Sequence, residues 1–567
     1  MSRSHLYPVS FGSLAMGLAL VLGAGLFPSG LLVSEAIAAE DYGIPQVGVI
    51  NEKIRQGWSD YQVTPSQEEM DTVWARRLFL DVLGRVPSVD ELNEFTRDRT
   101  RDKKKNLVDK LLFDDKYTEE YARNWTTIWT NVLIGRNGGT DNNSPISRPG
   151  MQKYLRDTFA RNTPYDKMVS DLVSATGANT PGMPNFNGAV NFYMDKLDEN
   201  GVQATAKTAQ IFLGLQVQCT QCHNHPFNEW KQEKFWNLNA FFRQTRTRRG
   251  EMPGANNGMR AMTLNDVDFM GEGRNIDNAE IYYELRNGLL KVAYPEFLDG
   301  QKIPTNGRVT QVNRRQELAK FIIESENLQE AIVNRYWGHF LGYGFTKPVD
   351  DMGPHNRPTH PELLTYLGEE VRENSFDLKQ LIRWITLSEA YSLSSKITNG
   401  NELDDPTVGE PPKFSHFYLR QMQAEQLYES LLVATQAHKT RGSYEEQEKK
   451  KSEWMRQFVT AFGTDEGDEA TTFNGTIPQA LMMFNGDLVN DAISIKPGSF
   501  IYSMAAEGQD GKEAINHLYM ATVARRPTRK EIQAANYLIG IHKGDTAKAL
   551  QDVFWALLNS NEFILNH

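Results

Sequence analysis

Apolar residues recur at helical spacing along most of the chain beyond the first forty positions, interrupted by short Gly-, Asn- and Pro-rich stretches. Residues 67–83, QEEMDTVWARRLFLDVL, place Met70, Val73, Trp74, Leu78 and Leu83 at helical spacing. The chain then turns through Arg85-Val86-Pro87 into Ser88, where Glu91, three residues on, completes a capping box and opens the next helix. The same periodicity predicts helices over 104–114, 117–133, 149–161, 165–175, 203–216 and 231–243. It resumes at 314–325, 328–341, 360–373, 377–390, 418–435, 445–462, 477–492, 511–524, 528–541 and 546–558. Between the two series, residues 246–310 lose the helical period, and IYYELRNGLLKVAYPE (280–295) alternates as a hairpin does. The expected fold is mainly α: two packed helical domains, 44–245 and 311–567, with a small β-containing insert over 246–310.

The pattern contains an echo of itself. Residues 78–92 align without gaps onto 518–532, each reading as helix, Arg-x-Pro-Ser/Thr turn and capped helix. A shorter echo pairs Asn162-Thr163-Pro164-Tyr165-Asp166 with Asn374-Ser375-Phe376-Asp377. Two readings stay open: reuse of the same cap at helical corners, or related modules at the two ends of the chain packed against each other. The charge runs at 102–105 and 445–453 read as solvated helix faces.

The first 39 residues have a different character. Arg3 and His5 precede an uncharged apolar run, Phe11–Phe27, and Ala36-Ile37-Ala38 offers small residues at the −3 and −1 positions of a cleavage site. This predicts a signal peptide over 1–39 and an exported, periplasmic or otherwise extracytoplasmic protein. Contact with a membrane is expected only through this segment, if it stays uncleaved. The 567-residue chain carries 61 basic and 72 acidic residues, a net charge of −11. That balance repels phosphate backbones and argues against nucleic acid as a partner. At 40% hydrophobic residues the chain has material for large cores.

Candidate chemistry gathers at one point. The chain's two cysteines lie in Cys219-Thr220-Gln221-Cys222-His223. C-x-x-C-H is the attachment signature of c-type haem, in which each thiol adds across a vinyl group and the histidine ligates iron. Export is consistent with it, since that haem is attached outside the cytoplasm. The aromatic residues that follow, Phe227, Trp230, Phe235, Trp236, Phe241 and Phe242, would either wall a haem or form plain core. Three alternatives remain: a Cys219–Cys222 disulfide, a zinc-type site adding His223 and His225, and a redox dithiol, which lacks its usual βαβ setting here.

These residues also carry a family resemblance. The run Val217–Phe227, continued by Trp230 and Phe241-Phe242, resembles the bacterial domain-of-unknown-function family numbered 1549, described as planctomycete cytochrome-like. Arg76–Asp81 and Arg85–Ser88 resemble the opening of that domain. Asn334–Gly342, Pro348–Asp351, Thr359–Leu364 and Trp555–Phe563 resemble its associated domain, the family numbered 1553. The resemblance implies this two-domain architecture and a cytochrome-like character, but no established activity. Many members carry a further cytochrome c domain; two cysteines supply no second attachment motif, so no multi-haem wire is expected.

A second polar cluster, Asp350, Asp351, His355, Asn356, His360 and Glu362, leads into a helix with Pro361 at its first position. Thr359 and Glu362 read as another capping box. Asn334, Arg335 and His339 read as buried hydrogen-bonding residues between domains. The functional alternatives for the cluster are a carboxylate–histidine metal site, with Asp350, Asp351 and His225 as candidates, or a second iron ligand opposite His223. His225 is too near His223 to reach that opposite side. Among His339, His355, His360, His416 and Met352, the expectation falls on His360, with Asp350 or Asp351 orienting its ring. The sequence has no G-x-S-x-G, H-E-x-x-H or phosphate-cradling glycine loop. The expected function is therefore one haem c for electron transfer or redox sensing with redox partner proteins. The alternatives are a non-haem binding or scaffold protein, with zinc or no cofactor, or a metal-dependent enzyme acting on exported polymers.

Overall fold

The computed structural model describes residues 41–436 apart from 142, 226–229 and 252–259, then 443, 446, 447, 449, 490, 493–496, 499–506 and 511–567. The expected signal segment, Phe227, the 445–453 charge run and most of the expected helices at 445–462 and 477–492 lie outside the described residues. The described chain is mainly α with small sheets, as the periodicity predicts. Among the described residues, no helix is long and apolar enough to cross a membrane.

Helix α1 (Pro45–Asp60) precedes α2 (Asp71–Leu83), α3 (Val89–Arg97), α4 (Lys103–Phe113) and α5 (Asp115–Ile134). Then follow α6 (Arg148–Ala160), α7 (Tyr165–Ser174), α8 (Asp198–Leu213) and α9 (Gln232–Asn239). After the insert come α10 (Arg314–Glu324), α11 (Glu326–Leu341), α12 (Pro361–Glu373) and α13 (Leu378–Thr386). The helices on the two sides of the insert share one apolar core. Val47 and Ile50 of α1, Trp125 and Trp129 of α5, Trp337 and Phe340 of α11 and Leu381 of α13 all belong to it. A second core joins Met422, Leu427, Leu518, Phe554 and Phe563 to Leu80 and Val86. Helix α2 runs between the two, which is why every residue from Val73 to Leu83 is buried. Its charged residues Arg76, Arg77 and Asp81 are buried along with its apolar ones.

The insert builds two sheets. Strands β2 (Thr245–Glu251) and β3 (Arg260–Asp266) pair antiparallel, and β1 (Gly177–Ala178) adds to the other edge of β3. The expected hairpin forms as β4 (Ile281–Glu284) and β5 (Leu290–Ala293), with Tyr282 opposite Val292. Its Ile281 and Tyr283 face inward onto Trp236 and Phe269.

The echo between 78–92 and 518–532 extends to side chains. Ser88 and Thr528 both close reciprocal capping boxes, with Glu91 and Glu531. Arg85 forks onto Glu91 at 2.9 Å and also pairs with Glu120; Arg525 forks onto Glu531 at 2.9–3.0 Å and pairs with Glu562. The second echo meets in space: Asn162 donates to Asp377 Oδ1 at 3.0 Å, and Tyr165 N–H to Phe376 O at 3.0 Å.

The capping box expected at Thr359 and Glu362 does not form. Pro361 takes the first helical position, so His360 becomes the N-cap and makes no side-chain cap. The Thr359 hydroxyl meets His360 Nδ1 instead, and Glu362 pairs with Lys53 of α1.

Candidate functional site

The cysteines do not continue α8, and the helix expected over 203–216 ends early. Gly214, with φ of 66°, takes the left-handed conformation that ends α8 at Leu213. A β-carbon there would lie 2.7 Å from Met352 Sδ, so close packing also requires glycine. A separate 3-10 turn over Gln218–Gln221 then carries Cys219, with Cys222 as its C-cap. At three residues per turn, positions i and i+3 eclipse, so both cysteines sit on one side of this turn. Both are exposed free thiols, whereas Thr220 is fully buried and its hydroxyl donates to Val217 O at 2.6 Å.

The turn is braced from α9. Gln232 Nε2 and Trp236 Nε1 both donate to Gln221 O at 3.1 Å, and a second Gln232 bond reaches Glu284 O in the hairpin at 2.9 Å. Asn224 Oδ1 accepts from Gln232 N–H at 3.0 Å, and His225 N–H donates to Trp230 O at 2.7 Å. His223 Nδ1 lies 2.7 Å from Asn224 O, the partner that leaves Nε2 as the lone-pair nitrogen. The bracing residues Gln232 and Trp236 lie four apart on one face of α9; Gln232 was not among the sequence candidates, and Trp236 was read as haem wall or core rather than as a brace. Their i, i+4 spacing was the only local signal.

The loop before α12 comes to this turn from the far side of the insert. Met352 N–H donates to Gly214 O at 2.7 Å. Asp350 accepts from Gln210 at 2.8 Å and Gln216 at 3.0 Å, which ties the loop to the end of α8. Asn356 Nδ2 bonds Asp351 O at 2.8 Å and Lys347 O at 3.0 Å. His355 Nε2 lies 3.1 Å from Asp351 Oδ1, and its ring centroid stands 5.6 Å from that of His225. Burial first, and then the neighbouring His355, push the pKa of His225 below its ordinary value, against the opposing pull of Asp351. Thus Cys219, Cys222, His223, His225, Asp351 and His355 gather along one seam. Among the described residues, no three His, Cys, Asp or Glu side chains already converge on a single ion-sized point.

His360 lies elsewhere. Its ring is surrounded by Tyr61, Phe345 and Phe414, with centroids 5.5–6.2 Å away. Nε2 is buried without a hydrogen-bond partner, and the ring packs against Gly57 of α1, where even a β-carbon would collide with it. His339 is half-buried beside Trp125 with Nε2 3.3 Å from Asp81 O, and His416 bonds Asp404 O at 2.9 Å. Asn334 shapes its own loop, bonding Thr346 and Val349 O and accepting from Phe345 N–H. Of the five candidates for a second iron ligand, His355 and Met352 are the two on the loop that reaches the cysteine segment.

Desolvation lowers the pKa of His360 to about 4, below the 6.5 of an open histidine, and His567 is lowered to a similar value. The unfolded chain therefore binds protons before the folded one does. Stability from these sites is full above about pH 7 and is lost as pH falls from 6.5 toward 4. At pH 5 the His360 contribution should fall by about 2 kcal/mol. Urea unfolding at pH 7 and pH 5 checks this, and His360→Gln should remove the His360 share of the difference while the His567 share remains.

The structure permits a fit test for the haem that the motif implies. The attachment triad fits: two reachable thiols on one side of a turn, and an imidazole whose Nδ1 is already engaged. The expected wall is different. Phe235, Phe241 and Phe242 are buried in the main core, and Trp236 stacks on Tyr283 of the insert. A porphyrin held by these cysteines would keep an edge at the surface.

Residues 49–247 match PSCyt2, a protein of unknown function (DUF1549), and residues 314–539 match PSD1, a protein of unknown function (DUF1553). The chain belongs to these two families. No curated protein and no solved structure matches it. The cysteine turn thus lies in the PSCyt2 domain and the 350–362 loop in the PSD1 domain, so the seam between 219–225 and 350–355 joins the two.

Proposed function

We propose that this is an exported protein that carries one c-type haem on the 219–223 turn and exchanges electrons with redox partner proteins. The observation that carries the reading is the pair of exposed, eclipsed thiols beside an imidazole with an engaged Nδ1. Bound there, the group would supply a one-electron iron couple. Cys219 and Cys222 hold it, and His223 presents Nε2. The Asn224 carbonyl fixes which nitrogen that is, while Gln232 and Trp236 fix the backbone of the turn. Surface placement suits the role, since electron exchange needs an edge that a partner can approach.

The experiment is expression with its own leader in a host that attaches c-type haem. Purified protein should show the c-type absorption spectrum, and the colour should survive acid–acetone extraction. The Cys219→Ser/Cys222→Ser double variant should lose it. Both side chains are exposed, so that variant should keep the helical circular dichroism of the parent. Colourless wild-type protein from that host would overturn the reading.

A further inference from the structure

We infer that the chain has a second site, separate from the thiols, in which His225, His355 and Asp351 bind one divalent transition-metal ion. The PSCyt2 domain supplies one imidazole; the PSD1 domain supplies the other imidazole and the carboxylate.

Two of the separations match those around a single ion. Metal–nitrogen bonds of about 2.0–2.1 Å place two imidazole centroids on one ion roughly 5–6 Å apart. The His225 and His355 rings stand at 5.6 Å. Adjacent donors on such an ion are about 3–3.4 Å apart, and His355 Nε2 is 3.1 Å from Asp351 Oδ1. To complete the set the His225 ring has to exchange its present contacts for the ion by turning about its side-chain torsions.

The backbones behind these side chains are fixed. Asn356 holds the Asp351 carbonyl, Met352 is tied to Gly214, and the His225 N–H is tied to Trp230 O. Such bracing is what a metal site requires of its surroundings. Asp350, with both oxygens occupied by Gln210 and Gln216, positions the loop rather than joining the ligands. Two imidazoles and one carboxylate suit zinc, cobalt(II), nickel(II) or iron(II), and they leave positions open for water or substrate oxygen. No cysteine takes part, so the site does not depend on haem at the neighbouring turn.

That independence decides the test. The full chain carrying Cys219→Ser and Cys222→Ser, stripped with chelator, is titrated with cobalt(II) and with zinc(II) by calorimetry and absorption. The expected result is one cobalt(II) per chain, with weak visible bands and no thiolate charge-transfer band. Adding His355→Ala or His225→Ala should weaken binding by at least a hundredfold, with circular dichroism unchanged. Should His355→Ala fail to fold, His355→Gln, which can still donate to Asp351, reads the same loss. Absence of stoichiometric binding in the Cys-free protein overturns the proposal. So does binding that is indifferent to His355 and His225. Cobalt bound by wild type but lost in the Cys-free protein assigns the metal to the thiolates instead. Haem cannot attach in this background, so failure of the haem reading leaves the result intact.

Discussion

Asp81→Ala is expected to prevent stable folding of the protein. Asp81 is fully buried on α2, and its carboxylate closes a network between distant segments. Arg420 bonds both of its oxygens at 2.9 Å, the Tyr391 hydroxyl donates at 2.8 Å, and Asn566 Nδ2 donates at 2.7 Å. Arg420 also donates to the main-chain carbonyls of His339 and Phe340. Removing one member of a buried ion pair costs about 3–5 kcal/mol, because the surviving charge stays desolvated. Two further donors would lose their acceptor, at about 1–3 kcal/mol each. Against a total stability of about 5–15 kcal/mol, that sum approaches the whole. Soluble yield and far-ultraviolet circular dichroism check it. Asp81→Asn, which keeps some acceptors but loses the charge, should be less damaging. A well-folded Asp81→Ala protein with unchanged urea midpoint contradicts this account of the core.

Deleting residues 563–567 is expected to be as severe. Strand β6 (Arg420–Gln421) pairs with β7 (Leu565–Asn566), and the same five residues feed carbonyl groups to two buried arginines. Arg76 donates to Phe563 O at 2.6 Å and Leu565 O at 3.0 Å. Arg77 donates to His567 O at 3.2 Å, to Leu393 O at 3.1 Å and to Tyr391 O. Burial already lowers the pKa of both guanidinium groups to about 10, and among the described residues no Asp or Glu side chain is seen to bond either one. Their charge is held by main-chain oxygens, and the deletion strips Arg76 of two of three acceptors. Loss of Phe563 also opens a cavity in the second core, worth about 3–5 kcal/mol for a phenylalanine. The check is limited proteolysis and thermal unfolding beside the full chain. Restoring residues 563–567 with an Asn566→Ala change should recover most of the loss, because only one bond to Asp81 is missing.

The parts of this structure that follow from short-range rules were legible in the sequence. Ser88 and Glu91 announce their capping box, Thr528 and Glu531 repeat it, and the alternation around Arg286-Asn287-Gly288 gives the hairpin. The end of α8 was misplaced because apolar periodicity runs on through Leu215, while Gly214 stops the helix by its backbone conformation. The Thr359 box failed because Pro361 set the helix start one residue later. The aromatic run after Cys222 was ambiguous by pattern; burial made Phe235, Phe241 and Phe242 core. Long-range partners were not legible. Arg76 and Arg77 read as ordinary helix positions, since their acceptors are main-chain carbonyls more than 300 residues away, which carry no sequence signal. The meeting of His225 with His355 is likewise a product of packing. His360, one helix start further along the same loop, looked equally eligible until its ring was placed against Gly57.

The haem reading rests on the cysteine turn, and the mass of that turn tests it most directly. Protein purified from its native host, digested without reduction, should yield a peptide spanning Cys219, Cys222 and His223 heavier by one haem, with no free thiol at either cysteine. A peptide at its unmodified mass, or two protons light from a Cys219–Cys222 disulfide, would contradict it.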